Sequence, residues 1–193
     1  MTIQLILAST SVYRQQLLQK LNLPFSTAKP DAVETPLPGE SPTQLALRLA
    51  AAKAESIAAR YPDALIIGSD QVAHAGGKLY GKPGTEAAAM TQLQQLSGQT
   101  VCFDTALCLF NNRSGEKQLE CVTTRVTFRT LSPEEIRRYV DKERPLDCAG
   151  SAKSEGLGIT LLESIIGPDP NALVGLPLIS LCRMLRREGM VLP

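Results

Sequence analysis

Ala64-Leu65-Ile66-Ile67-Gly68-Ser69-Asp70-Gln71 is the stretch from which the rest of the chain is read. Its apolar run is strand-sized and is bounded by small and polar residues. It predicts a buried strand from Ala64 to Ser69 that ends in Asp70. A carboxylate at the end of such a strand projects into the crevice where open α/β sheets bind ligands. Asp70 is therefore the first candidate for chemistry, able to hold a divalent metal or to take a proton from an attacking water. Alone, the position is equally consistent with a turn aspartate bonded to its own backbone.

Upstream of that strand, Ser41-Pro42-Thr43-Gln44 combines an N-cap serine, a proline at the first helical position and a glutamine placed for a capping box. A long helix to about Arg60 should follow, alanine-rich and so able to pack closely. Pro24 to Pro42 has no sustained period and reads as an irregular segment with room for one short strand. Before it, Ile3 to Ala8 reads as a buried strand, and a helix opens near Ser11 with Leu17, Leu18 and Leu21 on its apolar face.

Downstream of Asp70 come a polar turn at Gly76-Gly77, a loop at Gly81-Lys82-Pro83-Gly84 and a helix from Thr85 to Leu96, stopped by Ser97-Gly98. Thr100 to Phe110 and Glu120 to Phe128 read as two strands of a hairpin around Asn111 to Gly115. Ser132-Pro133-Glu134-Glu135 starts a helix that ends before Pro145. Leu178, Leu181, Cys182 and Leu185 give a closing helix its apolar stripe. Strands alternate with helices early and a hairpin comes late, which predicts an α/β fold: a mixed sheet with helices on its faces.

The 193 residues suffice for one domain, residues 1–193, with room for two lobes. A formal net charge of +1 gives no field to attract a nucleic acid polymer or an anionic membrane, so any anionic ligand must be held by a local cluster. The opening run Met1 to Ser9 lacks the basic region of a signal peptide, and no segment approaches transmembrane length, so a cytoplasmic protein is expected. Five scattered cysteines without a CxxC pair indicate neither a disulfide framework nor a zinc site. His74 is the only histidine, which removes most histidine-based triads and multi-histidine metal schemes. Catalysis must come from carboxylates, lysines, hydroxyls or a bound metal.

Ala8-Ser9-Thr10-Ser11-Val12-Tyr13-Arg14 places hydroxyls, backbone N–H groups and a guanidinium at a strand-to-helix junction, a plausible phosphate seat, though Ser11 as a mere cap with a solvated Arg14 explains it as well. Lys53 interrupts an alanine-rich helix and Lys82 lies in a rigid loop after Asp70; each is more often a solvated surface lysine, but two such cations can flank a polyphosphate. Glu34 offers a second carboxylate, and magnesium with phosphate oxygens needs only one or two. Cys148 to Gly156 and Asp169 to Pro177 are loop-like stretches whose small residues let a ligand approach the backbone.

Taken in order, these stretches resemble the Maf family of nucleoside-triphosphate pyrophosphatases, related in fold to the inosine-triphosphate pyrophosphatases. Leu7-Ala8-Ser9-Thr10-Ser11-Val12-Tyr13-Arg14 looks like the family's opening motif, Asp31-Ala32-Val33-Glu34 like its acidic motif and Ala51-Ala52-Lys53-Ala54 like its helix lysine. Gly68-Ser69-Asp70 with Gly81-Lys82-Pro83 looks like its catalytic stretch, and Asn171-Ala172-Leu173-Val174-Gly175-Leu176-Pro177 like its closing signature. The resemblance implies a mixed twisted sheet with a ligand cleft between two lobes, and a metal-dependent cut between the α and β phosphates of a nucleotide. Asp70 is then proton acceptor and metal partner together with Glu34, the ion being magnesium or manganese, and Ser9, Arg14, Lys53 and Lys82 surround the phosphates.

Three departures from the family's pattern bear on substrate: Tyr13, Gln71 and Glu155. A carboxylate at Glu155 can accept two hydrogen bonds from the N1–H and N2–H2 edge of guanine and meets uracil or thymine poorly. N7 methylation makes guanine cationic, so Glu155 favours it by charge and Tyr13 can stack on it. The set resembles the subgroup that hydrolyses 7-methyl-GTP. Cys148 stands where the family often has a lysine, and Lys153 is not assumed to replace it. Hydrolysis of dTTP and UTP, and nucleotide binding without catalysis in a regulator of cell division, are the alternatives. The sequence leaves a homodimer open.

Overall fold

The computed structural model describes residues 3–193; Met1 and Thr2, which begin the opening run, lie outside the described residues. Seven strands form one sheet in the order β2-β1-β3-β5-β6-β7, with β4 paired to β3 alone. The chain divides into two compact units, the first containing the segment through Asp70, Thr105–Val122 and Asp169–Pro193, the second Gln71–Asp104 and Thr123–Pro168.

In the first unit, β1 (Leu5–Ala8) leads through α1 (Val12–Gln19) to β2 (Ser26–Ala28), and β2 leads through α2 (Pro42–Glu55) to β3 (Leu65–Ala75). Both connections join parallel strands: Ile6 stands opposite Ser26 on one side and Ile66 on the other. Successive residues of a strand face opposite sides, so β3 divides its side chains between two layers. Leu65 and Ile67 enter a core with Leu5, Leu7, Leu17, Leu18 and the buried face of α5 (Leu178–Arg187).

On the other face, α2 lies against β3 with Leu45, Ala46, Leu49, Ala50, Lys53 and Ala54 buried. The closeness of that packing depends on Gly68. A methyl group there would stand 2.1 Å from the Ala50 carbonyl oxygen and 2.9 Å from the Ala54 nitrogen. A strand glycine facing helix alanines lets two backbones nearly touch.

The second unit holds the rest of β3, β4 (Lys78–Leu79), α3 (Glu86–Leu96), α4 (Pro133–Glu143), β7 (Leu162–Ile166) and parts of β5 (Thr100–Asn111) and β6 (Glu116–Phe128). Here α3 packs on α4. β4 and β7 pair antiparallel with β3 and β6, so the sheet is mixed as expected. The capping boxes at Ser41 and Ser132 both form, and Thr85 and Ser11 cap their helices by side-chain oxygens.

The structure departs from the sequence reading in several places. β3 does not end at Asp70 but continues to Ala75, because past its last register with β1 at Ile67 it gains β4, with His74 opposite Leu79. α2 stops at Glu55 rather than near Arg60; Ser56 turns its hydroxyl onto the Lys53 carbonyl at 2.9 Å and a 3₁₀ turn, Ala58–Arg60, follows. β6 begins at Glu116, before Glu120. β7 had no counterpart in the sequence reading: it is an edge strand whose two isoleucines are exposed, so the alternation that signals a half-buried strand is missing.

Candidate active site

The face of β3 that Gly68 opens also carries Asp70, two residues on, and α2 offers Lys53 between the two alanines that cover Gly68. The pair meets there. Lys53 Nζ lies 2.5 Å from Asp70 Oδ1, with Lys53 7% and Asp70 8% exposed. The same ammonium is 2.7 Å from Glu34 Oε1, a carboxylate 62% exposed on the irregular segment before α2. Thus Glu34, Lys53 and Asp70, scattered over 37 positions of sequence, converge on one charged group. Lys53 is not the solvated lysine its residue type suggests, and Glu34, though exposed, is ion-paired.

The opposite face of β3 prepares a second cation. Ser69 shares its hydroxyl proton between the carbonyl oxygens of Ala106 (2.8 Å) and Gly175 (3.0 Å). The Gly175 carbonyl also accepts from Arg14 Nε at 2.8 Å, which fixes the plane of the half-buried guanidinium. Gly175 reaches this position with φ +126°, where a side chain is strained. Burial pulls the Arg14 guanidinium below its ordinary value, while the charges of Asp70 and then Glu34 push it back up, so Arg14 and the two carboxylates share one field. Ser9 is buried, and its hydroxyl oxygen accepts the Ser11 N–H at 3.0 Å, closing the turn into α1. Tyr13 follows on α1, half-buried.

Glu34 and Asp70 both reach a single Nζ, so the Lys53 ammonium already stands as a cation between the two carboxylates. Among the described residues no group of three or more His, Cys, Asp or Glu side chains is arranged to hold a metal. Two converging carboxylates still fit magnesium or manganese, which complete their shell with phosphate oxygens and water. The donor set suits a metal that arrives with a nucleotide.

The other candidates belong to the second unit. Gln71 continues β3, half-buried. Lys82 is exposed in its loop, and Glu155 is exposed with the Ser154 hydroxyl 3.5 Å from its Oε2. Lys153 pairs with Glu143 at 3.1 Å, and its backbone N–H donates to the Tyr139 hydroxyl, so it is held on α4. Cys148 is half-buried, its thiol 3.6 Å from Asp147. His74 lies 3.3 Å from the buried Asp104, which also accepts from the Thr123 hydroxyl at 2.6 Å, a structural network.

Sequence reasoning met Gly68, Ser69 and Gly175 only inside longer motifs and gave them no role of their own, yet they build the site around its reactive groups. The signal for Gly68 was present: a glycine inside an apolar strand marks close backbone approach. Nothing in the sequence pairs Ser69 and Arg14 with one carbonyl 106 and 161 residues away.

The Maf-like protein family model matches residues 4–188. A 7-methyl-GTP pyrophosphatase of Aromatoleum aromaticum is 63% identical over 98% of both chains. Proteins of the same name from Polaromonas sp. and Ralstonia nicotianae are 56% and 59% identical, over 97% and 94% of this chain and 86% and 94% of theirs. The match takes in both units, from β1 to the end of α5, and with it every motif read from the sequence, so the chain belongs to the Maf family.

Proposed function

We propose that this protein is a hydrolase that cuts 7-methyl-GTP between its α and β phosphates, giving 7-methyl-GMP and diphosphate. The observation that carries the reaction is the convergence of Glu34 and Asp70 on Lys53, with Arg14 in the same field. The names of the relatives support the substrate, as do Glu155 and Tyr13.

A triphosphate and its transition state are densely anionic, and cations already in place stabilise them without reorganising. Lys53 and Arg14 are held by carboxylate and carbonyl before substrate arrives, and Ser9 and Lys82 add a hydroxyl and a further cation. Asp70 takes the proton of the attacking water as its oxygen bonds to the α phosphorus. The bond from that phosphorus to the bridging oxygen breaks, and the oxygen leaves on diphosphate. Glu34 and Asp70 would hold magnesium or manganese, which when bound neutralises phosphate charge. At the base end, Glu155 accepts from the guanine N–H edge, Tyr13 stacks on the methylated ring and Gln71 assists in the choice of base.

Among the described residues no helix is long and apolar enough to cross a membrane. All five cysteines are free thiols, which fits work in the reducing cytoplasm on a small nucleotide, by a monomer or a homodimer.

A substrate panel tests the reading. Purified protein with magnesium or manganese should release diphosphate faster from 7-methyl-GTP than from dTTP or UTP, and Glu155→Gln should move the preference toward the pyrimidines, because one charge-assisted hydrogen bond is worth about 1.5–3 kcal/mol, roughly tenfold or more. Faster turnover of dTTP or UTP by the unaltered protein overturns the substrate; nucleotide binding without any turnover favours a regulator.

A further inference from the structure

Glu34 stands on an exposed segment without helix or strand, yet its carboxylate is fixed on Lys53, and what fixes the segment lies along α2. The residues before α2 run back along it from its C-terminal end to its N-terminal end. Arg60 Nη2 donates to the Lys29 carbonyl at 2.9 Å and the Asp31 N–H donates to the Ser56 hydroxyl at 3.1 Å. Next along the helix, Lys53 meets Glu34. One residue further in the segment, Arg48 Nη2 donates to the Thr35 carbonyl at 3.1 Å. The same guanidinium then grips Glu40 with both arms of its fork, Nε to Oε1 at 2.6 Å and Nη2 to Oε2 at 2.8 Å. Glu40 in turn accepts the Leu37 N–H at 3.0 Å, and its own N–H donates to the Leu37 carbonyl, which closes the turn into α2.

We infer that Arg48 and Glu40 are positioning residues: together they form a strap that holds the segment from Thr35 to Glu40 along α2, so that the neighbouring Glu34 is presented to Lys53 and Asp70. This rests on the reading of Glu34 as a metal-holding carboxylate. Arg48 touches no reacting atom, and its part is to fix the carbonyl next to Glu34. The fork is what matters. Only a planar guanidinium spans a carboxylate with two parallel bonds while giving a third to a backbone carbonyl, and lysine, with one nitrogen, does not. The Arg48 bond holds Glu40 well below the usual carboxylate range, at about 2, so the strap stays charged wherever the enzyme works.

The test combines Arg48→Lys and Glu40→Gln, each alone and with Glu34→Gln, read by two measurements. The first is the manganese concentration at half-maximal diphosphate release; the second is amide hydrogen exchange of residues 31–41 in the metal-free protein. Supports of metal ligands typically change metal affinity by 10–100-fold, so Arg48→Lys should raise the half-saturating manganese roughly tenfold. It should also speed exchange at Leu37 and its neighbours with only a small fall in thermal midpoint, and Glu40→Gln should do the same to a smaller extent. With Glu34 already replaced, Arg48→Lys should leave half-saturation where Glu34→Gln put it. An equal shift in both backgrounds overturns the strap, as does faster exchange with half-saturation unmoved. If Glu34→Gln alone leaves the manganese requirement unchanged, it is the metal reading of Glu34 that fails, and the exchange data still report whether the strap orders the segment.

Discussion

Lys53 and Glu155 are both charged residues expected to meet substrate, and their settings are opposite. Lys53 projects from the last turn of a capped helix, 7% exposed, between alanines pressed onto a strand glycine, with Asp70 at 2.5 Å. Glu155 is exposed in a turn between two short 3₁₀ segments, next to a serine hydroxyl. The difference separates two kinds of function. A group that must meet a transition state is fixed by packing and by partners, so changing it or its supports costs rate or stability. Glu155, proposed to choose among bases, sits on a turn, where one substitution leaves the fold alone and alters preference.

The largest expected effect is at the packed end. Asp70→Asn keeps the shape and removes the charge and the proton acceptor, and should lower turnover by roughly 10²–10⁴-fold while nucleotide binding, measured calorimetrically, is largely kept. Gly68→Ala attacks the packing instead. Its new methyl meets the Ala50 carbonyl oxygen at 2.1 Å, so α2 must move. We expect a loss of about 1–3 kcal/mol in denaturant unfolding, with reduced turnover because Lys53 moves with its helix. Normal activity in a stable Gly68→Ala protein breaks the comparison.

At the base end the effects are smaller and appear in selectivity. Tyr13→Leu should leave turnover of unmethylated GTP nearly as it was and cut the preference for 7-methyl-GTP over GTP several-fold, since cation–π contacts contribute about 0.5–2 kcal/mol. Equal loss on both nucleotides would make Tyr13 part of the packed end. The smallest effect concerns pH. Glu40 is depressed in the folded protein to about 2, so its contribution to stability is complete above its ordinary value near 4.5 and is lost as pH falls toward 2. The difference in melting midpoint between wild type and Glu40→Gln should therefore be constant from about pH 5 to 8 and shrink only below that.

Those same two settings explain what could be read from sequence. The helix at Ser41 was legible because a capping box is local, and so was the strand through Ile66, whose apolar run is local too. Its end was not: whether β3 stops at Asp70 depends on β4 taking over its hydrogen bonds, a contact that appears in no window of sequence. Asp70, Lys53 and Glu34 were recognisable one by one through their motifs, yet nothing short of the folded chain brings them to one nitrogen. Arg48 and Glu40 were invisible, since an arginine and a glutamate near a helix start read as solvated charges. β7 failed for the converse reason: its isoleucines are exposed on a sheet edge, so burial wrote no pattern there.

The most direct test of the account is to run the reaction on 7-methyl-GTP in ¹⁸O water with manganese and to follow both products. Attack at the α phosphorus under Asp70 predicts one ¹⁸O in 7-methyl-GMP, an unlabelled diphosphate, one of each per turnover, and both products slowed roughly 10²–10⁴-fold with Asp70→Asn. Label in the diphosphate, release of orthophosphate with 7-methyl-GDP, or undiminished turnover by Asp70→Asn would contradict it.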